Sequence, residues 1–379
     1  MHFRSLLTVY LPAVETDPEW EKEVADQVKQ MRESQPENIG SIGQKVMLDI
    51  FYEGMNNIST TFGREVTPVI RDVMERFNCG TEDKRFLEFD DRTGEALRDY
   101  NEIIDCMRLP DGRIVEEYPA PQWHKFIIKD GKVYQRHAGP LHHPKRTKAA
   151  KKISVVTNYP RKKLYGNSFE RYIEEATYFT RNEETGKYGE WYNPDGVYDW
   201  YSIGGRWPRM FLVKNECTEY SLGESPAFKS EENANAPEGY RWVCCARKKD
   251  IQWDVMRKWL NNRATDRYTR LRAMYKDGIL DDDIHGTITD KGITDWGELV
   301  YTPDMTLEKY LNQYGIPDEW KYPISVYSIF HSEEYMDKHS VTRDNETGKY
   351  SPIDWRRTVD EFIDEADDED VFVGIDYHI

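Results

Sequence analysis

Short apolar runs rich in β-forming residues recur along the chain and predict strands. They lie at residues 3–11, 153–157, 208–213, 240–245, 323–330 and 371–377. Two further apolar runs flank Asp130-Gly131, a pair that favours a tight turn, so a hairpin is expected over residues 123–136. Strands at both ends of the chain are the clearest feature of this pattern.

Apolar residues at a spacing of three to four predict helices between these strands. Pro is favoured in the first helical turn, so one helix is expected after Asp17-Pro18 and another to begin at Thr67-Pro68. Further helices are predicted over residues 95–107, 168–180, 250–262, 263–275, 307–314 and 355–366. Trp253, Met256 and Trp259 form a stripe that we expect in a core.

Helices and strands mix without a βαβ rhythm, which favours the α+β class. We expect a mixed, largely antiparallel sheet that pairs the N- and C-terminal strands and carries helical insertions. The predicted core comprises residues 1–12, 120–215 and 320–379. Residues 13–119 are interpreted as a helix-rich insertion and residues 216–319 as a helical and loop insertion.

Residues 180–188 closely resemble residues 342–350, and both contain a Thr-Gly-Lys-Tyr sequence. The match is consistent with duplicated half-domains or with two similar exposed hairpins. We favour the hairpins, because Gly and the acidic or amide side chains suit a turn.

Composition narrows the class of protein. A content of 25 Tyr, 14 Phe and 11 Trp indicates buried layers or binding surfaces rather than a solvated chain. No apolar run approaches the roughly 20 residues that span a bilayer, so no membrane association is expected. The five cysteines have irregular spacing, which argues against a disulfide framework or a zinc site and favours a cytoplasmic location.

Charge is distributed very unevenly. The formal net charge is −17, yet residues 131–169 contain no acidic residue and ten basic ones, which leaves −27 for the remainder. This segment suits contact with phosphate groups, or equally docking onto the acidic remainder of the chain. Its central basic residues are Lys145, Arg146, Lys148, Lys151 and Lys152. Three histidines within it lack Cys or carboxylate neighbours, so we expect neither a metal nor a cofactor.

The densest candidate chemistry lies in residues 191–207. Gly204-Gly205 permits a bend or a close backbone approach, and Arg206 follows it between Trp200 and Trp207. A guanidinium stacked on indoles can still present a planar fork to phosphate or carboxylate. Asp199 is its expected internal partner. The alternative is a buried Arg–Asp pair that clamps an aromatic core.

The closing strand brings a second pair of candidates. Asp376 and His378 are two residues apart and therefore share one face. Near Arg206 they would form a site in which His378 transfers protons, Asp376 orients it and Arg206 neutralises charge. The alternative is an edge strand with a solvated histidine. An edge strand would also allow two copies to pair as a homodimer.

The segment Asn193-Pro194-x-x-x-Tyr198-Asp199-Trp200-Tyr201-x-Ile203-Gly204-Gly205-Arg206-Trp207 resembles a signature of small phage and prophage proteins with no assigned function. Those proteins also open with a short strand like residues 3–11 and end on Asp-x-His-Ile, as residues 376–379 do. This chain adds long segments at 13–120 and 215–320. The resemblance implies a phage or mobile-element origin, hence a host cytoplasm, and no particular activity.

Three functional hypotheses follow. The first is a phage-type counter-defence or host-takeover protein that binds a phosphate-bearing ligand, either a nucleotide or a nucleic acid. The second is an acidic inhibitor that binds a host protein. The third is a metal-independent phosphodiesterase or nuclease that uses His378, so the sequence leaves open whether the protein is an enzyme.

Overall fold

The computed structural model describes residues 1–15, 17–33, 60–116, 126–129, 131–135, 148–149, 153–207, 209–220, 236–343 and 348–379. The chain divides into two compact units. The larger unit comprises residues 1–79 and 195–379, and the smaller unit comprises residues 80–194. This division differs from the predicted one, because residues 120–194 group apart from the terminal strands and residues 216–319 belong with them.

The helices of the described residues alternate irregularly with strands. The α-helices are Pro18–Glu33 (α1), Thr61–Glu75 (α2), Thr93–Tyr100 (α3), Phe169–Ala176 (α4), Trp253–Asp277 (α5), Leu307–Tyr314 (α6) and Trp355–Glu365 (α7). Short 3₁₀ helices lie at Lys84–Phe86, Arg161–Tyr165 and Lys248–Asp250.

The first ten strands comprise β1 of the larger unit and β2–β10 of the smaller unit. They are His2–Val9 (β1), Glu88–Asp91 (β2), Ile103–Arg108 (β3), Ile114–Val115 (β4), Phe126–Lys129 (β5), Lys132–Gln135 (β6), Lys148–Ala149 (β7), Ser154–Pro160 (β8), Thr180–Arg181 (β9) and Tyr188–Tyr192 (β10). The later strands all belong to the larger unit. They are Trp200–Ile203 (β11), Phe211–Lys214 (β12), Tyr240–Val243 (β13), Cys245–Arg247 (β14), Ile288–Thr289 (β15), Gly292–Asp295 (β16), Glu298–Tyr301 (β17), Ser328–His331 (β18), Glu334–Asp337 (β19), Val341–Arg343 (β20), Tyr350–Pro352 (β21) and Val371–His378 (β22).

A mixed sheet in the order β11-β22-β1-β18-β19 forms the centre of the larger unit. The terminal strands β1 and β22 pair antiparallel over their whole length, from His2 opposite His378 to Val9 opposite Val371. Only the β1–β18 pairing in this sheet is parallel. The predicted α+β class and the pairing of the two terminal strands are therefore confirmed.

The closing strand β22 is an interior strand. β1 pairs along one side of it, while β14 and β11 pair in succession along the other. The edge-strand part of that alternative is wrong for this reason, although 37% of the His378 side chain is exposed. Two copies of the chain therefore cannot pair through a free edge of β22. That the protein forms a homodimer stays a prediction.

Both faces of the central sheet are covered over most of its length. On one face, Ile70 and Met74 of α2 are fully buried, and Phe77 packs on Phe330 of β18 at 5.2 Å between ring centroids. His331, the next residue, points to the opposite face and packs on Phe362 of α7. Because both faces are covered, β22 begins with a continuous apolar run at residues 371–375, whereas β1 mixes its apolar residues with Arg4, Ser5 and Thr8.

Helix α2 begins six residues before the predicted position. Thr60 is the N-cap, and its hydroxyl accepts a hydrogen bond from the Gly63 amide at 3.0 Å. Pro68 lies inside the helix. Phe62, Val66, Ile70 and Met74 are buried and follow one another at a spacing of four residues. Packing of this face stabilises the helix despite the proline inside it.

Two other helix predictions also differ from the structure. The helix expected over residues 95–107 ends at Tyr100, and the chain continues as β3, which pairs with β8. The two helices predicted over residues 250–262 and 263–275 are replaced by the single helix α5, Trp253–Asp277. Its second half packs its own small core with β16, β17 and α6, and the predicted stripe of Trp253, Met256 and Trp259 packs against the main core.

Among the described residues of the smaller unit, Ala96, Tyr100, Tyr172 and Ile173 form a buried cluster on α3 and α4. The predicted hairpin over residues 123–136 is confirmed by the β5–β6 pairing, with Gly131 in the left-handed region at a φ of 68°.

The two similar nonapeptides, residues 180–188 and 342–350, each join an antiparallel strand pair, β9–β10 in the smaller unit and β20–β21 in the larger. Two similar hairpins, the preferred interpretation, account for the repeat.

Candidate functional site

The chain turns sharply after β11 and comes back over β22. Gly204 and Gly205 have φ values of 75° and 49°, and the Gly204 amide donates to the Gly374 carbonyl at 2.7 Å. A Cβ added at Gly205 would lie 2.5 Å from the Cβ of Asp376. Gly-Gly thus supplies both the predicted bend and the predicted close approach. Trp207 closes the turn, because its amide donates to the Gly204 carbonyl at 2.8 Å.

The close approach lets the Asp376 carboxylate reach the turn. Asp376 is 1% exposed, and its Oδ2 accepts from the Arg206 backbone amide at 3.0 Å. Its Oδ1 lies 2.9 Å from Nδ1 of His2 on β1. A buried carboxylate needs such partners to offset the loss of water.

A second Asp–His pair lies beside the first and is open to solvent. Nδ1 of His378 is 2.9 Å and 3.2 Å from the two carboxylate oxygens of Asp199. The hydrogen bond from His378 holds the pKa of the Asp199 carboxyl below its ordinary value. The predicted partnerships are therefore exchanged: Asp199 orients His378 rather than Arg206, and Asp376 orients His2 rather than His378.

The two imidazoles are neighbours. His2, His378 and Trp200 are directly opposite one another on three adjacent strands. The ring centroid of His2 lies 5.1 Å from that of His378 and 5.3 Å from that of Trp200. Because a carboxylate oxygen accepts, Nδ1 is the donor in each ring, and no described residue bonds to either Nε2. Each histidine thus keeps one nitrogen for an external group.

His2 and Arg4, both on β1, are the residues of the site that sequence reasoning missed. The surroundings of Arg4 are unusual. It lies opposite Asp376 in the β1–β22 register, and its Nε is buried without a hydrogen-bond partner. No hydrogen bond or ion pair joins its side chain to another described residue. Burial lowers the pKa of this guanidinium to about 10. The period of two along β1 groups Arg4 with His2 as it groups Asp376 with His378, and this was the available signal.

Arg206 itself is exposed. Within the described part of the chain its guanidinium has neither an ion pair nor a cation–π contact with Trp200 or Trp207. The alternative of a buried Arg–Asp pair clamping an aromatic core is therefore not what the structure contains. Trp200 is 48% exposed, which leaves an indole face at the surface beside His2.

These residues form a single group that we call the terminal-strand cluster: His2, Arg4, Asp199, Trp200, Arg206, Asp376 and His378. All of them belong to the larger unit. The cluster contains two guanidinium groups and two carboxylate-oriented imidazoles at one end of the central sheet. Anion binding and proton transfer are the chemistry that such groups support.

The basic segment is in the smaller unit. Lys148 lies in β7, whereas Lys145, Arg146, Lys151 and Lys152 lie outside the described residues. Arg161, later in the same segment, forms ion pairs with Glu102 at 2.8 Å and Glu116 at 3.0 Å. Docking onto the chain's own carboxylates, one of the two alternatives for this segment, therefore holds for Arg161.

The described residues include no group of three or more His, Cys, Asp or Glu side chains arranged to hold a metal. None of the described helices combines the length and apolar composition that crossing a membrane requires. The chain matches no family model, no curated protein and no solved structure.

Proposed function

We propose that the larger unit binds a phosphate-bearing ligand, a nucleotide or a nucleic acid, at the terminal-strand cluster. The observation that carries this proposal is the partly buried Arg4 guanidinium without an acceptor among the described residues. Burying a cation without a partner costs free energy, and an incoming anion offsets that cost.

The carboxylate across the strand pair from Arg4 does not fill this role. Asp376 is opposite Arg4, yet its oxygens are already engaged by His2 and by the Arg206 amide. A guanidinium carries five donors in a plane and matches two oxygens of one phosphate. Phosphate is therefore the ligand group that suits Arg4 best.

Two exposed neighbours extend the site. Arg206 supplies a second cation at the surface, and Trp200 supplies an aromatic face on which a base can stack. An open site of this kind favours a nucleic-acid strand over a small nucleotide, because a strand does not need an enclosing cavity. The role in counter-defence or host takeover follows from the phage resemblance and stays a prediction.

Anisotropy titrations with fluorescent single-stranded RNA and DNA and with labelled linear and cyclic nucleotides test the proposal. Arg4→Ala should weaken binding about tenfold to a hundredfold, the usual effect of removing a charge-assisted hydrogen bond. The slope of log K against log salt should fall in magnitude by about 0.7 for each phosphate of a single strand that the variant no longer neutralises. Arg4→Lys should restore part of the affinity.

Arg357→Ala is the matched control, because Arg357 is exposed on α7 and pairs only locally with Glu361. It should bind as the wild type does. Wild-type protein that binds none of these probes at low salt contradicts the proposal. So does Arg4→Ala together with Arg206→Ala binding them unchanged.

A further inference from the structure

The terminal-strand cluster holds two histidines that binding alone does not require. Each imidazole is fixed at Nδ1 by its own carboxylate, and the ring centroids are 5.1 Å apart. The side chain of His2 is 20% exposed and that of His378 is 37% exposed. Two oriented imidazoles at a site for phosphate are the components of paired general acid and base catalysis.

We propose that the terminal-strand cluster cleaves RNA by transphosphorylation, with His2 and His378 as the two catalytic residues that transfer protons. This inference rests on the proposed function, because the phosphodiester must first bind beside Arg4. It goes further by naming a reaction, a substrate class and the residues that perform it.

The reaction is balanced without another reactant. The neutral imidazole takes the proton of the ribose 2′-hydroxyl through Nε2, and the 2′-oxygen forms a bond to phosphorus. The bond from phosphorus to the 5′-oxygen breaks, and the leaving oxygen takes a proton from Nε2 of the second, protonated imidazole. The products are a 2′,3′-cyclic phosphate and a 5′-hydroxyl end, and the protein's two rings have exchanged protonation states.

The other members of the cluster have defined parts in this reaction. Arg4 stabilises the negative charge that grows on the non-bridging phosphate oxygens. Asp376 and Asp199 are positioning residues, since they fix the ring orientations and leave Nε2 of each histidine toward the substrate. Trp200 provides stacking for a base next to the scissile phosphate.

RNA is the substrate class because it brings its own nucleophile. The 2′-hydroxyl is already held next to the phosphorus, so the protein has to provide only a base, an acid and a cation. The cluster contains these three groups. DNA lacks the nucleophile and should bind without being cleaved.

The test uses the full chain and a labelled DNA oligonucleotide that contains one ribonucleotide. Cleavage should occur only at that nucleotide, and mass spectrometry should identify the cyclic phosphate. A 2′-O-methyl version should bind equally well and stay intact. His2→Ala and His378→Ala should each slow cleavage about 10²- to 10⁴-fold with little change in affinity.

A sulfur atom in place of the bridging 5′-oxygen separates the acid from the base, because a thiolate leaves without a proton. One histidine variant should regain most of its rate on this substrate, and the other should not. Asp199→Asn should slow cleavage without weakening binding, and Asp199→Glu should recover part of the rate. His285→Ala is the control for a contaminating nuclease and for the effect of removing any histidine, because His285 is exposed and packs on Trp296 outside the cluster. It should cleave as the wild type does.

The outcomes are distinct. An oligonucleotide that binds and remains intact overturns the catalytic inference alone, whereas failure to bind removes the proposed function as well. Cleavage that persists in both histidine variants, or in the 2′-O-methyl oligonucleotide, overturns the inference. So does sulfur rescue of both variants or of neither. His2→Gln and His378→Gln, checked by circular dichroism, replace the alanine variants if those do not fold.

Discussion

An arginine lies beside each end of β22, and the surroundings of these two arginines are opposite in kind. Arg247 on β14 is opposite Val371 at the start of β22 and is 7% exposed. Its guanidinium donates to the carbonyls of Leu11 and Glu369 at 2.8 and 2.7 Å and to that of Pro12 at 3.0 Å. Arg4, near the other end, has no such partners in the described part of the chain.

The difference separates a structural cation from one that is free for binding. Arg247 joins three stretches of backbone, and its charge also faces the Glu369 carboxylate at 3.5 Å. Arg4 occupies a similar position beside the same strand, but its charge is available to an outside anion. Arg4 is partly buried and Arg247 is buried, but the clearer difference lies in their hydrogen-bond partners.

The largest effect is expected from Arg247→Ala. This substitution leaves three carbonyl groups without their donor, so we expect a decrease of about 3 kcal/mol in the free energy of unfolding. Urea denaturation measures it, with Arg357→Ala as an exposed reference that should change little. Equal losses of stability in Arg247→Ala and Arg357→Ala would show that Arg247 is not a structural cation.

Gly205→Ala should come next, at about 2 kcal/mol, since the new methyl group meets Asp376 and the backbone has a positive φ. Gly278→Ala is the matched control. Gly278 has a φ of 71° but open space where the Cβ would be, so its loss of stability should be smaller and come from backbone strain alone. If Gly205→Ala costs no more stability than Gly278→Ala, the Asp376 side chain must move away from the added methyl group.

Arg4→Met should increase the free energy of unfolding by about 1 kcal/mol, because it removes a charge that burial disfavours. The same variant should lose affinity for the phosphate probes. A thermal or urea melt beside the anisotropy titration measures both effects. A clear loss of stability would place Arg4 with Arg247 as a structural residue and remove the contrast between them.

The smallest effect concerns the exposed Asp199–His378 pair. The pKa of the Asp199 carboxyl is lowered in the folded state, first by the hydrogen bond from His378. The pair therefore stabilises the fold above the ordinary carboxyl pKa of about 4, and this contribution disappears as pH falls through the lowered value. In His378→Ala the pKa of Asp199 should rise, as carboxyl NMR titration will show. An unchanged pKa would mean that the pair does not form in solution.

The sequence pattern predicted the strands at both chain ends because β-forming apolar residues are concentrated in the short stretches 3–11 and 371–377. It did not predict the end of α3, since Ile103, Ile104 and Met107 fit a helical spacing as well as a strand. Pairing of β3 with β8 decides that case, and such pairing is not visible in a local window. The start of α2 was missed because the proline rule outweighed the four-residue spacing of its buried face.

The candidate site was half predicted for a related reason. Asp376, His378, Asp199 and Arg206 all lie in the cluster, but their partners were assigned wrongly. Correct pairing depends on the register between β1, β11 and β22, which joins residues far apart in the chain. The same register brings in His2 and Arg4, which the sequence shows only as polar residues in a predicted core strand.

The order in which the site is assembled follows from these long connections. The His2–Asp376 contact spans 374 residues, the His378–Asp199 contact spans 179 and the Arg206–Asp376 contact spans 170. Each requires a long loop to close, and all three depend on β22, the last strand of the sequence. A nascent chain that has not yet produced β22 has no common neighbour for β1, β11 and β14. The contacts of the terminal-strand cluster should therefore form only together with the central sheet, after β22 has paired with β1 and β11.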